Sequence, residues 1–268
     1  MAKQRIILLS DLHLQGRKKE RERTHRLVDA IAKNYPEAVV IVTGDLTDSA
    51  TLKQMKEARE ILEKLAATNP ILVVPGNHDY AWKGNILRDE GWKNWVEVLG
   101  EPLGWPTTGK GWMGANCEPK GIDGLGVWTT KHCAFFGIDS GDPEDKVASA
   151  KGFISNKLAD ALKSSLRKHA KKTRIAFLHH HPFSDGLFTK LHGSAQLMAA
   201  LKDNCELLMF GHDHEYGIWW NKNGVPLTVS SHKSTDRVLG GQLMLTIIEI
   251  NNAGTASPQL WHRLELLS

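Results

Sequence analysis

Histidines and carboxylates recur where short apolar runs end. The stretch "LLMFGHDH" (207–214) carries four apolar residues into a glycine and then sets His212 and His214 two positions apart. In extended backbone that spacing directs both imidazoles to one side of the chain. Two imidazoles at one strand mouth fit a share in a metal cluster, and they also fit two ordinary surface histidines. Four other runs help to choose. "RIILLSDLH" brings Asp11 and His13, and "AVVIVTGDLTD" brings Gly44, Asp45 and Asp48. "ILVVPGNHD" brings Gly76, Asn77, His78 and Asp79, and "RIAFLHHHP" brings His179, His180 and His181 ahead of Pro182. Ligands gather at the carboxyl ends of strands in open α/β sheets, and glycine there lets backbone approach closely. A lone DxH is common by chance; five such ends in order point to a polynuclear metal site. An imidazole-rich donor set with carboxylates and no thiolate suits Mn, Fe, Zn, Co or Ni, and disfavours Cu(I) or an iron–sulfur cluster.

The elements that must position these groups are readable too. The runs at 5–10, 38–44, 71–76, 133–140, 174–182 and 207–214 are continuously apolar rather than alternating, as expected of strands covered on both faces. Leu52, Met55, Ala58, Leu62 and Leu65 follow a helical three-four spacing, as do Leu158, Ala161, Leu162, Ser165 and Leu166. Thr47 and Ser49 are the expected caps of the first of these helices. After residue 214 the pattern changes to a hairpin, "YGIWW", "NKNG", "VPLTVSS", then "LMLTIIEI" and "QLWHRLELL" without helices between them. The chain reads as one domain, 1–268. Its segment 82–131 holds six of the nine tryptophans among many glycines. That segment is expected to be an excursion acting as a cap over a ligand site, a role compatible with a small aromatic satellite core.

Composition excludes other classes. A chain of 268 residues with 41% hydrophobic and 24% charged residues can bury a core, and no apolar run approaches membrane-spanning length. Asp11 cuts the first apolar run too early for a signal peptide. Three scattered cysteines without a CxxC pair argue against a disulfide scaffold, so a reducing cytoplasm is the expected compartment. A net charge of +4 favours anionic substrates only mildly. The densest basic stretch, "RKHAKKTR" (167–174), lacks interleaved aromatics and reads as a helix end, not a nucleic-acid platform.

The ordered set D-x-H, G-D-x-x-D, G-N-H-D, H-x-P and G-H-x-H resembles that of the calcineurin-like metallophosphoesterases, and within them the class III cyclic-nucleotide phosphodiesterases and glycerophosphodiesterases. The resemblance implies a four-layer α/β fold, a two-sheet β-sandwich flanked by helices. It implies two divalent metal ions: Asp11, His13 and His214 hold the first, Asn77, His180 and His212 the second, and Asp45 bridges both. The family shows one or two histidines before the proline where this chain has three. Counting back from Pro182 selects His180, with His179 and His181 as neighbours that fix the ligand's tautomer. His78 is expected to be paired with Asp79 and to stabilise charge or protonate a leaving alkoxide. Asp48 is expected to brace the following helix, and His192 and His232 to be candidates for lining the pocket. The implied activity is hydrolysis of a small phosphodiester such as a cyclic nucleotide. A monoesterase, a pyrophosphohydrolase and a non-catalytic scaffold of the same fold are the alternatives.

Overall fold

The computed structural model describes residues 2–15, 18–80, 88–100, 116–117, 124–141, 150–236, 242–255 and 257–267. The chain begins with β1 (Lys3–Leu9), α1 (Lys18–Asn34), β2 (Val39–Val42), α2 (Leu52–Ala66) and β3 (Ile71–Val73). The single turn α3 (Asn77–Tyr80) and α4 (Arg88–Trp95), which continues as a π turn over Val96–Gly100, come next. The middle holds β4 (Asn116–Cys117), β5 (Leu125–Thr129), β6 (Cys133–Ile138), β7 (Gly152–Phe153), α5 (Asn156–Lys168) and β8 (Thr173–Leu178). β9 (Leu191–His192), α6 (Ser194–Leu201) and β10 (Leu207–Phe210) lead to the hairpin β11 (Gly217–Lys222) and β12 (Val225–Ser230). Two long strands, β13 (Leu243–Asn251) and β14 (Gln259–Leu267), close the chain.

One sheet runs β14-β13-β1-β2-β3, with β1, β2 and β3 parallel and β13 and β14 antiparallel to their neighbours. The other runs β11-β12-β10-β8-β6-β5-β4, with β6, β8, β10 and β12 parallel. Both faces of the second sheet are covered. Phe135, Ile175, Phe177, Leu207, Met209 and Val229 join the first sheet in one core. Ala134, Phe136, Ala176, Leu178, Leu208 and Phe210 pack with α5 and α6 in another. α1 and α2 bury Leu27, Val28, Ile31, Met55, Ala58, Ile61 and Leu62 against the first sheet. The result is the expected α/β sandwich of two sheets flanked by helices.

Two details differ from expectation. The cap of α2 is Thr51, whose side chain accepts the Gln54 N–H; Thr47 and Ser49 lie upstream, where the Thr47 hydroxyl bonds Asp79 instead. Part of the Trp-rich segment is sheet, since β5 pairs with β6 and buries Trp128. Trp95 is buried in the main core rather than in a satellite, and Trp92 packs against that core and stacks on Tyr80 at 5.0 Å. Trp82, Trp105 and Trp112 lie outside the described residues.

Candidate metal centre

The parallel strands of both sheets deliver their carboxyl ends to one edge of the sandwich. Asp11 and His13 follow β1, Asp45 follows β2, Asn77 follows β3, His179 follows β8, and His212 and His214 follow β10. The backbone bends sharply there. Of the eleven non-glycine residues with positive φ among those described, five are Asp11, His13, Asp45, His212 and His214. Left-handed backbone is costly for such residues and concentrates at functional sites. Glycines make room. A Cβ at Gly76 would lie 2.1 Å from Asp45 Oδ1, and one at Gly211 would lie 1.8 Å from Ser10 Oγ.

The donors fall into two sets around Asp45. In the outer set His13 Nε2 lies 3.1 Å from His214 Nε2 and 3.8 Å from Asp11 Oδ1, and His214 Nε2 is 3.3 Å from Asp11 Oδ1. In the inner set His179 Nε2 lies 3.0 Å from both Asn77 Oδ1 and His212 Nδ1. Asp45 Oδ2 is 3.6 Å from His13 Nε2 and 3.4 Å from His179 Nε2. The Thr43 carbonyl accepts His179 Nδ1–H at 2.7 Å, which leaves the Nε2 lone pair facing the other donors.

This corrects the expectation for His180. β8 ends at Leu178, but the alternation of its side chains continues one step: Ile175, Phe177 and His179 face the other sheet, while Ala176, Leu178 and His180 face α5 and α6. His180 is buried against Ser140, its Nδ1 2.8 Å from Ser140 Oγ. His181 packs among Phe183, Phe210 and Trp219.

A second correction concerns Asp79. Adjacent residues on a helical turn do not face each other, and Asp79 turns away from the His78 ring. Its carboxylate accepts the N–H groups of Leu46, Thr47 and Gly76 and the Thr47 hydroxyl, pinning the β2 and β3 loops together. His78 is oriented instead by the Asp48 carbonyl, which takes its Nδ1–H at 2.8 Å, while its backbone N–H donates to Asp45 Oδ1 at 2.9 Å. Its ring meets that of His13 edge-on at 4.7 Å. The Asp48 side chain accepts from Gln15 and Ser49, so it ties the loops after β1 and β2 together rather than bracing α2 as expected.

Electrostatics follow from burial and these contacts. Burial pushes the Asp11 and Asp45 carboxyls up, but the surrounding imidazoles outweigh it and hold both below the usual carboxylate range. Burial, then the charge of Asp45, pushes Asp79 up to about 6 against its backbone hydrogen bonds. Burial lowers His13 and, with His179, takes His212 down to about 3. Burial opposes protonation of His78, yet Asp45 and the Asp48 carbonyl raise it above its ordinary value.

These residues fit divalent cations. Asp11 Oδ1 is buried without a hydrogen bond of good geometry, and two pairs of imidazole nitrogens face one another at hydrogen-bond distance. Asp11, His13 and His214 form one compact group of donors, and Asp11, Asp45 and His179 another. Cations satisfy such converging lone pairs.

One strand end carries no expectation in the sequence, and another is signalled there only by His232. The loop after β6 holds Ser140, the partner of His180, and the loop after β12 is tied to the site's backbone. Ser231 N donates to the Phe210 carbonyl, and Ser234 exchanges two bonds with Ser10 beside Asp11. That loop holds His232 buried, with neither ring nitrogen hydrogen-bonded among the described residues. The signal was the same one, polar residues after an apolar run. His192 is exposed on β9.

Known proteins share this fold. A dimetal phosphatase from Danio rerio superposes on 96% of this chain and 98% of its own, with a TM-score of 0.62 at 12% identity. GAP50, described as the anchor in the inner membrane complex of Plasmodium, covers 98% of this chain and 84% of its own, with a TM-score of 0.59 at 17% identity. At such identities the likeness is one of fold. A probable cyclic nucleotide phosphodiesterase of Coxiella burnetii is 34% identical over 80 residues, 28% of this chain and 32% of that protein. The match therefore spans about a third of that relative's length. The family profile of the calcineurin-like phosphoesterases matches residues 4–216, from β1 through both histidines of the "GHDH" stretch. With that match across most of its 268 residues, the chain belongs to the calcineurin-like phosphoesterases.

Proposed function

We propose that the protein is a binuclear metal-dependent phosphodiesterase acting on a small phosphodiester such as a cyclic nucleotide. The observation that carries the two-ion reading is Asp45, whose single carboxylate oxygen lies 3.6 Å from a histidine of the outer set and 3.4 Å from one of the inner set. On this reading Asp11, His13 and His214 hold one ion, Asn77, His179 and His212 the other, and Asp45 serves both. Divalent cations in these sets would supply Lewis-acid charge for the phosphoryl oxygens and a nucleophile at neutral pH. The protein's own part is to hold converging imidazole lone pairs and buried carboxylates in place, and to keep a proton close by. His78 does the latter. Its Nδ1 is committed to the Asp48 carbonyl, so Nε2 is the atom that holds a proton for a departing alkoxide.

The preference for a diester rests on the likeness to the Coxiella phosphodiesterase. No helix among the described residues is long and apolar enough to cross a membrane. The test is a substrate panel on Mn-loaded protein: cyclic nucleotides, glycerophosphodiesters, phosphomonoesters, pyrophosphates and nucleic acids. Small diesters should turn over fastest. Faster monoester or pyrophosphate hydrolysis would reject the diester assignment, and two bound ions without any hydrolysis would leave a scaffold.

A further inference from the structure

The two main sheets end in four edge strands, and three of these are poor templates for further pairing. β3 offers three residues and β4 two, and β11 is kinked by left-handed backbone at Asn221. β14 is different. It pairs with β13 residue for residue over all nine positions, without a bulge, and contains no proline, glycine or lysine. Short length, kinks, proline and lysine are the usual devices that keep a sheet edge from pairing with another chain. Among the described residues no strand lies on the free side of β14.

The side chains of this edge are apolar and open to solvent on both faces. Trp261 shows 61% of its surface, and Leu264 and Leu266 are exposed as well. Trp261, Arg263 and Glu265 share the face on the α1 side, where the Tyr35 hydroxyl contacts both charged groups. His262, Leu264 and Leu266 share the other face by alternation. There the exposed Trp220 ring of β11 lies 6.2 Å from that of His262. The edges of the two sheets thus lie side by side and together present an apolar strip. Contiguous exposed apolar surface of this kind marks a place where another chain docks.

The charges on the strand choose the occupant. Arg263 and Glu265 stand one step either side of Leu264. A second copy laid antiparallel along the free edge, about a two-fold axis through Leu264, sets each Arg263 opposite the other copy's Glu265. Leu264 then meets its own copy, His262 meets Leu266, and Trp261 meets Leu267. Opposite charges directly across an antiparallel pair stabilise it, and like charges destabilise it. An axis through Arg263 or Glu265 would instead set that charge against itself. The two-fold keeps each side chain on its own face, so the five-stranded sheets of both copies would continue as one. We propose that β14 is a dimerisation edge: two copies of this chain join their first sheets through it, Arg263 of each paired with Glu265 of the other.

Sedimentation velocity of the full chain, over a series up to about 100 μM, reads the assembly in the range of weak interfaces. A particle of two chains is expected. Arg263→Glu sets acid against acid and Glu265→Arg sets base against base, so each variant alone should associate about tenfold more weakly. Mixed in equal amounts, the two variants should recover association as a heterodimer, because every acid then faces a base. Leu264→Lys puts two ammonium groups on the axis and should weaken association by about tenfold or more. Melting of each variant is the folding control. Leu264 is exposed, so Leu264→Lys carries the test if the charge variants do not fold. A monomer at every concentration would overturn the proposal and leave this edge to a different chain. Native association of Leu264→Lys would place the interface elsewhere on the molecule. Single variants that stay apart when mixed would overturn the pairing of Arg263 with Glu265.

Discussion

His212 and His214 leave the same strand two residues apart, yet they titrate in opposite directions. Burial first, and His179 next, hold His212 down to about 3. His214 keeps 42% of its side chain exposed, and its contact with Asp11 outweighs its burial and raises it. The division runs through both donor sets, since His179 has no exposed surface while the outer set opens to solvent at His214. A cation entering the inner set meets His212 in its neutral form. In the outer set the Asp11 contact makes a proton on His214 a stronger competitor for the cation, because ligands bind metal only in their deprotonated form. Burial thus frees the His212 lone pair for metal, while the neighbouring carboxylate favours a competing proton on His214.

Asp45 faces a histidine of each set, so Asp45→Ala should abolish the distinction. Both ions should be lost from the purified protein, and turnover should fall by about a thousandfold or more, the scale of losing a major electrostatic contribution to catalysis. Elemental analysis beside a rate measurement checks this. Two tightly held ions with near-native turnover would remove Asp45 from its bridging position.

His78 touches Asp45 only through its backbone N–H and belongs to neither set. His78→Ala should therefore keep both ions and lose about a hundredfold in turnover of alkoxide esters, the usual scale for a general acid. Nitrophenolate esters need little protonation and should lose less. Equal losses for both leaving groups would assign His78 a positioning role. Gly76→Ala approaches the bridge sterically, because the new Cβ would lie 2.1 Å from Asp45 Oδ1. It should destabilise the metal-free protein by about 1–3 kcal/mol, as overpacking does, and weaken both ions together. Weakening of one ion alone would show that Asp45 serves one set.

The sequence disclosed the strands, the edge of the sandwich and most of the donors, because each apolar run ends abruptly in polar residues that strand ends must place somewhere. What it could not disclose was phase. β8 is apolar on both faces, Ile175 and Phe177 toward one core and Ala176 and Leu178 toward the other, so no pattern says which way His179 points. An alternating strand would have revealed it. The pairing of Asp79 with His78 failed for a similar reason. It was read from adjacency, but α3 begins at Asn77 and helical neighbours diverge. Ser140 was overlooked because a serine after "FFGID" signals nothing until β6 is known to lie beside β8.

The smallest expected effect separates the two histidines in the metal-free protein, through acid. The folded value of His212 lies below its unfolded value of 6.5, so in acid the unfolded chain takes up the proton first. Its contribution to stability is complete above that value and is lost as pH falls toward about 3. His214 is raised, so its contribution is complete below 6.5 and is lost as pH rises through its folded value. Asp11 and Asp45 are held below 3.8, so their contributions decline only in stronger acid. Between pH 7 and 5, then, His212 makes the chelated protein more acid-labile and His214 opposes it. His13 and His180, both lowered, add to the loss, and Asp79, raised to about 6, opposes it. His212→Asn should flatten the fall in Tm over this range, by about 2 kcal/mol at pH 5. His214→Asn should steepen it by less, because solvent screens a half-exposed group. Calorimetry on EDTA-treated protein at the two pH values reads both slopes. Identical slopes in the two variants would mean that burial and the Asp11 contact do not distinguish the inner and outer sets.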